Sequence, residues 1–230
     1  MKRLILIFLI LALGVPAFAS ESQLEKATNV VNEIMGTPDN GIPGDLLNRA
    51  VCVGIVPSQL KFALGVGGTY GRGVLVCRKG GNGPWAAPSM FTMGGGSFGF
   101  QVGGKATDVV FIVMNPDGVK KLVQDSVKLG AEASVAAGPV GRSAEGATDV
   151  QLHAEILSYS RTRGLFAGVS LDGAVVKQDK GDNRTVYGHE VSARDILIKG
   201  VVAPPASAAP LDQTLTKYSP RGGESFGQVQ

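Results

Sequence analysis

The alternation of apolar and polar positions is cleanest between Thr148 and Val176. Val150, Leu152, Ala154 and Ile156 fall on one side of an extended chain, and Gln151, His153 and Glu155 on the other. Successive side chains of a strand face opposite ways, so this spacing predicts a half-buried strand. A turn at Arg161-Thr162-Arg163-Gly164 leads to a second strand over 165–171. Asp172-Gly173 tolerates the positive φ of a tight turn and leads to a third strand from Ala174. Three antiparallel strands in succession predict the nucleus of a β-rich domain.

The rest of the chain reads as follows. Leu24, Ala27, Val31 and Ile34 recur at helical spacing and predict an amphipathic helix over 21–35. A short helix is predicted over 44–49, after Pro43. Strands are predicted over 51–56 (ending at Pro57), 62–69, 74–77, 89–93 and 108–114, with a turn at Tyr70-Gly71-Arg72-Gly73. Asn115-Pro116-Asp117-Gly118 opens a helix to about 127, and 131–137 alternates as a strand. A polar loop over 178–184, a helix over 192–199 and a Pro/Ala linker over 203–210 follow. A short helix over 211–218 docks, and residues 219–230 are a disordered tail. The expected class is α+β: a β-rich antiparallel core, barrel- or sandwich-like, with short flanking helices.

Residues 97–103 stand apart. Ser97, Gly99, Gln101 and Gly103 share one face of a strand, and Phe98, Phe100 and Val102 the other. Glycine at alternate places leaves one face nearly bare, open to a neighbouring backbone or to a ligand.

The start of the chain changes the charge balance. Lys2-Arg3, an apolar run over 4–15 and Ala17-Phe18-Ala19 make the three parts of a secretory signal, too short to span a membrane. The expected arrangement is a signal peptide over 1–19, a domain over 20–202, and a linker with tail over 203–230. No Cys follows the apolar run, so the expected address is periplasmic or secreted, without a lipid anchor. The whole chain carries 22 Lys+Arg against 19 Asp+Glu, and losing Lys2 and Arg3 leaves 20 against 19, net +1. Bulk charge thus gives no case for nucleic acid, and an anion site must be a local cluster. Cys52 and Cys77 are the only cysteines. In an oxidising compartment such a pair predicts a disulfide, with two buried thiols as the alternative, and by itself it is too few for structural zinc.

Catalytic motifs fail on context. Gly95-Gly96-Ser97-Phe98-Gly99 fits a nucleophile elbow, but its surroundings alternate like a strand where the elbow needs a strand–turn–helix. The same glycines mimic dinucleotide and phosphate loops without the helix or the Ser/Thr those require. His153 with Glu155, and His189 with Glu190, lack a third group at metal-ligand spacing. No cofactor or metal is expected. What remains is a set of basic residues in predicted turns: Arg72, Lys105, Arg142, Arg161 and Arg163, with Arg78 and Lys79 beside them. Arginine's planar fork suits a phosphate head group.

Laid out in order, these pieces resemble the SYLF-domain family of lipid-binding proteins. The resemblance rests on Ile42-Pro43, Val56-Pro57, Gly68-Thr69-Tyr70-Gly71-Arg72-Gly73, Trp85 with Pro88, and 95–103. It continues through Gly138-Pro139-Val140-Gly141-Arg142, Ser158-Tyr159-Ser160-Arg161, 164–173 and Tyr187-Gly188. It implies a non-enzymatic domain that binds membrane lipid, with an N-terminal amphipathic helix engaging the bilayer and actin binding in some fungal members. The expected ligand is anionic phospholipid, with Arg72, Lys105, Arg142, Arg161 and Arg163 at the head group and the bare face at Gly99 and Gly103 admitting an acyl chain. The alternative is an envelope protein-interaction or structural module without a lipid ligand, and export makes actin an unlikely partner. The helix over 21–35 carries Glu21, Glu25 and Glu33 against Lys26, the wrong sign for an anionic surface, so it is expected to pack on its own domain.

Overall fold

The computed structural model describes residues 16–36, 41–141, 153–162 and 164–220. Its frame is one long ribbon of two strands, β1 (Cys52–Cys77) and β2 (Ser89–Val113). They pair antiparallel from Cys52 opposite Val113 to Leu75 opposite Ser89. Three separate strands were expected on each side of this ribbon, and each set is one continuous strand. Pro57 does not end β1, because it sits in a bulge between Val56 and Gln59 where no ladder hydrogen bond is required of it. Ser58, at φ 52°, donates its N–H to Asp108 Oδ1 at 2.9 Å.

The expected turn at Tyr70-Gly71-Arg72-Gly73 is also absent. Those glycines serve a crossing. A Cβ on Gly71 would lie 2.5 Å from Val56 Cγ1, and one on Gly73 would lie 2.8 Å from the Ile55 carbonyl oxygen. β1 therefore doubles back and passes over its own first half. Fully extended, its 26 residues would span roughly 85 Å, yet Cys52 and Cys77 have Cα atoms 4.0 Å apart and are joined by a disulfide, as expected.

Among the described residues, five short strands complete a seven-stranded sheet. β3 (Ser126–Lys128) pairs with β7 (Val175–Gln178), which pairs with the first part of β2. β5 (Ile156–Thr162) pairs with the last part of β2 and with β6 (Leu165–Gly168). β4 (Val135–Ala137) lies parallel to β5, a departure from the expected antiparallel core.

The three-strand nucleus was half right. The β5–β6 hairpin forms, with Gly164 at φ 81°. Gly173 also turns at φ 81°, but the strands flanking it go to different neighbours. The predicted strand over 150–156 begins only at Ile156. Val150, Gln151 and Leu152 lie outside the described residues, and Ala154 is buried without strand pairing.

Helices cover both faces. β2 residues Met90, Val110 and Ile112 share one apolar cluster with α1 (Pro16–Met35), α2 (Gly44–Arg49) and the C-terminal helix. Phe91, Met93, Val109, Phe111 and Val113 alternate into a second cluster, closed by α3 (Pro116–Leu122) and a π-helical turn at Asp195–Lys199. Strands buried on both faces read as unbroken apolar runs, which is how 108–114 looks.

Two polar segments fold where a loop and a linker were expected. Asp179 Oδ1 accepts the Asp182 N–H at 2.9 Å and caps α4 (Lys180–Tyr187), which stops at Gly188 in the left-handed region. The core also runs on past residue 202. Ala208 is buried beside α5 (Ala209–Tyr218), whose Leu211 and Leu215 join the cluster under α1. Ser219, expected to begin the tail, is fully buried.

Candidate functional site

The basic residues do not form one cluster. Arg72, on β1, points its guanidinium at Asp182 of α4, 3.3 Å away, and remains 47% exposed. Tyr70 first and Asp182 second raise its pKa above the ordinary arginine value. Arg161, on β5, reaches Asp108 Oδ2 through Nε at 3.2 Å and Nη2 at 3.0 Å, and also pairs with Glu33 of α1. Two carboxylates thus already occupy the fork that was expected to take a phosphate. Arg142 and Arg163 lie outside the described residues. Arg78 is buried inside a structural knot. It donates to the carbonyls of Ala50 (3.2 Å), Gly83 (3.2 Å) and Ser219 (3.0 Å), and its guanidinium stacks 4.1 Å from the Trp85 ring centre.

Lys105 has a different setting. It stands directly opposite Lys61 across the ribbon, while Gly103 faces Ala63 and Gly99 faces Gly65. The next step along the ladder pairs Leu60 with Ala106, and Leu60 is 55% exposed. Thr107 then shares a 3.1 Å hydrogen bond with Thr162 on β5, and Thr162 pairs with Leu165, which is 79% exposed. At this end of the sheet Leu60 is exposed on one face and Leu165, in the row of Thr107 and Thr162, on the other. Lys61, Leu60 and Leu165 were missed from the sequence. Their exposure is a property of the fold that alternation alone does not give.

Other candidates resolve into structure. Ser97 lies opposite Gly67 inside β2, so no elbow exposes it. His153 and Glu155 share no strand face. Glu155 accepts both short contacts from Lys121 Nζ (2.7 Å) and the Ser134 N–H (2.8 Å). Burial opposes its ionisation, but the Lys121 and Ser134 hydrogen bonds outweigh that and hold its carboxyl below the ordinary value. Asn183, which reads as a glycosylation sequon, is fully buried, with Oδ1 accepting the Met90 N–H at 2.7 Å. Tyr159 is fully buried against Phe166, and burial, then Asp45, push its phenol well up. Among the described residues no three His, Cys, Asp or Glu side chains are placed to hold a metal.

The described residues form an α+β domain: a curled sheet with helices on both faces and an internal disulfide. The comparisons name the family. A family model described as "Ysc84: Las17-binding protein actin regulator" matches residues 94–218. The chain is 37% identical over 216 residues to LAS seventeen-binding protein 3 of Saccharomyces cerevisiae, covering 88% of this chain and 46% of that protein. It is 36% identical over 196 residues to Protein YSC84 of the same yeast, covering 81% and 41%. It is 32% identical over 205 residues to human SH3 domain-containing YSC84-like protein 1, covering 86% and 59%. The chain belongs to the Ysc84 (SYLF) family, and it spans about half the length of these relatives.

Proposed function

We propose that this chain is an exported domain that binds the surface of anionic membranes without catalysis. The observation that carries the reading is the exposure of two large apolar side chains, Leu60 at 55% and Leu165 at 79%, with the exposed Lys61 next to Leu60 along β1. Exposed apolar area and local positive charge are the two contributions that hold a peripheral protein at a bilayer. Arg72 and Arg161 serve the fold through Asp182, Asp108 and Glu33, so the head-group role passes to Lys61 and Lys105. Export rests on Lys2-Arg3, the apolar run and Ala17-Phe18-Ala19. N-terminal sequencing of the protein from the cell envelope tests it, with Ser20 as the expected first residue.

Co-sedimentation with vesicles of phosphatidylglycerol and of phosphatidylcholine tests lipid binding. Binding to the first that weakens in high salt is expected, and no sedimentation with either at low salt overturns the reading. A second reading comes from the relatives' names, which describe binding to a protein. In that case Leu60 and Leu165 face a protein partner, and a stoichiometric partner from envelope extracts without vesicle binding is the result that selects it.

A further inference from the structure

The segment expected to be a linker walls a cleft. Pro204, Pro205 and Leu211 come from it and from the start of α5, Trp85 and Pro88 from the approach to β2. Together they line a space of about 220 Å³, with Asp212 in its wall.

The walls are fixed from outside. Arg78 bridges to Trp85 through the backbone, and its guanidinium lies 4.1 Å from the ring centre. That stack, rather than a hydrogen bond, places the indole, since Nε1 is buried with no partner among the described residues. The Pro88 carbonyl accepts the Tyr187 hydroxyl at 2.5 Å. The Pro205 carbonyl accepts the Ala208 N–H at 2.9 Å, closing a short helical turn over Ala206–Ala208, and Leu211 is anchored in the core. Proline holds its own backbone angle, and the alanines that share the lining are too short to reach across. The space is therefore pre-formed, and filling it orders little that is not ordered already.

Charge enters this cleft through a single residue. Every lining residue apart from Asp212 is apolar. Asp212 sits in the first turn of α5, where a carboxylate is ordinarily favoured. Burial nevertheless pushes its carboxyl above the ordinary value, the reverse of what a neighbouring cation does. An engineered cavity of about 150 Å³ takes benzene, so this one has room for such a ring, or a branched chain of that size, with a short arm. A partly desolvated carboxylate rewards a cation on that arm and repels an anion.

We propose that this cleft binds a small apolar amine, its hydrocarbon body against Trp85 and the prolines and its ammonium on Asp212. Neither Leu60 nor Leu165 lines it, so the site is separate from the membrane reading and either can fail without the other.

The full mature chain is titrated with phenethylamine, read by calorimetry and by the emission of Trp85, the only tryptophan. The neutral probe of the same shape is 2-phenylethanol, and the anionic one is 3-phenylpropionate. The amine is expected to bind about tenfold tighter than the alcohol, with the acid weakest. Asp212→Asn should bring the amine down to the level of the alcohol and leave the alcohol unchanged, which tells a lost charge from a damaged fold. If that variant does not fold, the ratio of amine to alcohol on the unmodified chain decides. Ala206 is exposed and lines the cleft, so Ala206→Phe should fill it and abolish binding of all three. The site is overturned by an unmodified chain that ignores the amine or binds amine and alcohol equally. A preference that survives Asp212→Asn, or amine binding that survives Ala206→Phe, overturns it as well.

Discussion

Cys52 and Cys77 are the first and last residues of one strand, and a disulfide joins them. The bond closes a loop made of a single bent strand, with β2 following it along the whole path. A loop of sequence separation 25 is worth about 3 kcal/mol to the folded state, through the freedom removed from the unfolded chain. Replacing both cysteines by alanine should cost about that much in urea unfolding. An unchanged midpoint would show that the crossing at Gly71 and Gly73 holds the bend unaided.

Arg78 ties three distant segments together through Ala50, Gly83 and Ser219 and stacks on Trp85. Lysine has neither the planar fork nor the stacking face. Arg78→Lys should destabilise the protein by about 2 kcal/mol and shift the emission of its only tryptophan. Vesicle binding per folded molecule should stay the same, which separates this arginine from a head-group ligand.

Gly168 lies against the backbone of Gly138: an added Cβ would sit 2.0 Å from its carbonyl oxygen. Backbone cannot swing aside as a side chain can. Gly168→Ala should therefore cost about 3 kcal/mol, while Gly173→Ala meets no atom within 4 Å and should cost only the strain of its positive φ. Thermal midpoints of the two variants check the order.

Glu155 predicts a pH dependence. Its folded pKa lies below the ordinary 4.5, so the unfolded chain binds more protons in that window and stability falls as pH drops through it. Glu155→Gln should be about 1–2 kcal/mol less stable at neutral pH. The gap to the unmodified protein should narrow once pH falls below about 4.5. Denaturant midpoints at pH 7 and pH 3.5 measure it, and a constant gap would contradict the assignment.

The sequence showed the elements whose signals are local. α1 has its stripe at Leu24, Ala27, Val31 and Ile34, α2 follows Pro43, and α3 opens at the Asn115 cap. The disulfide was expected from the cysteine count and the expected compartment. What escaped were decisions made by distant partners. Pro57 and Gly71 look like strand breakers until a bulge and a chain crossing give them work. The stretch 178–184 looked like a loop because its helix buries one polar side chain, Asn183, rather than an apolar stripe. Asp179 and Gly188 were available in the sequence as its cap and stop. Among the basic residues, composition could not say that Arg161 already has Asp108 and Glu33, or that Lys105 stands at the register position opposite Lys61.

The first and last helices share one core: Asn32 of α1 donates to Thr214 of α5 at 3.5 Å, and Ser219 donates to the Leu47 carbonyl at 2.9 Å. A ribosome releases Asn32 182 residues before Thr214. Until the later one emerges, the apolar stripe of α1 has no lasting seat and the ribbon lacks half its roof. The emerging polypeptide therefore lacks its closed core until α5 has left the ribosome.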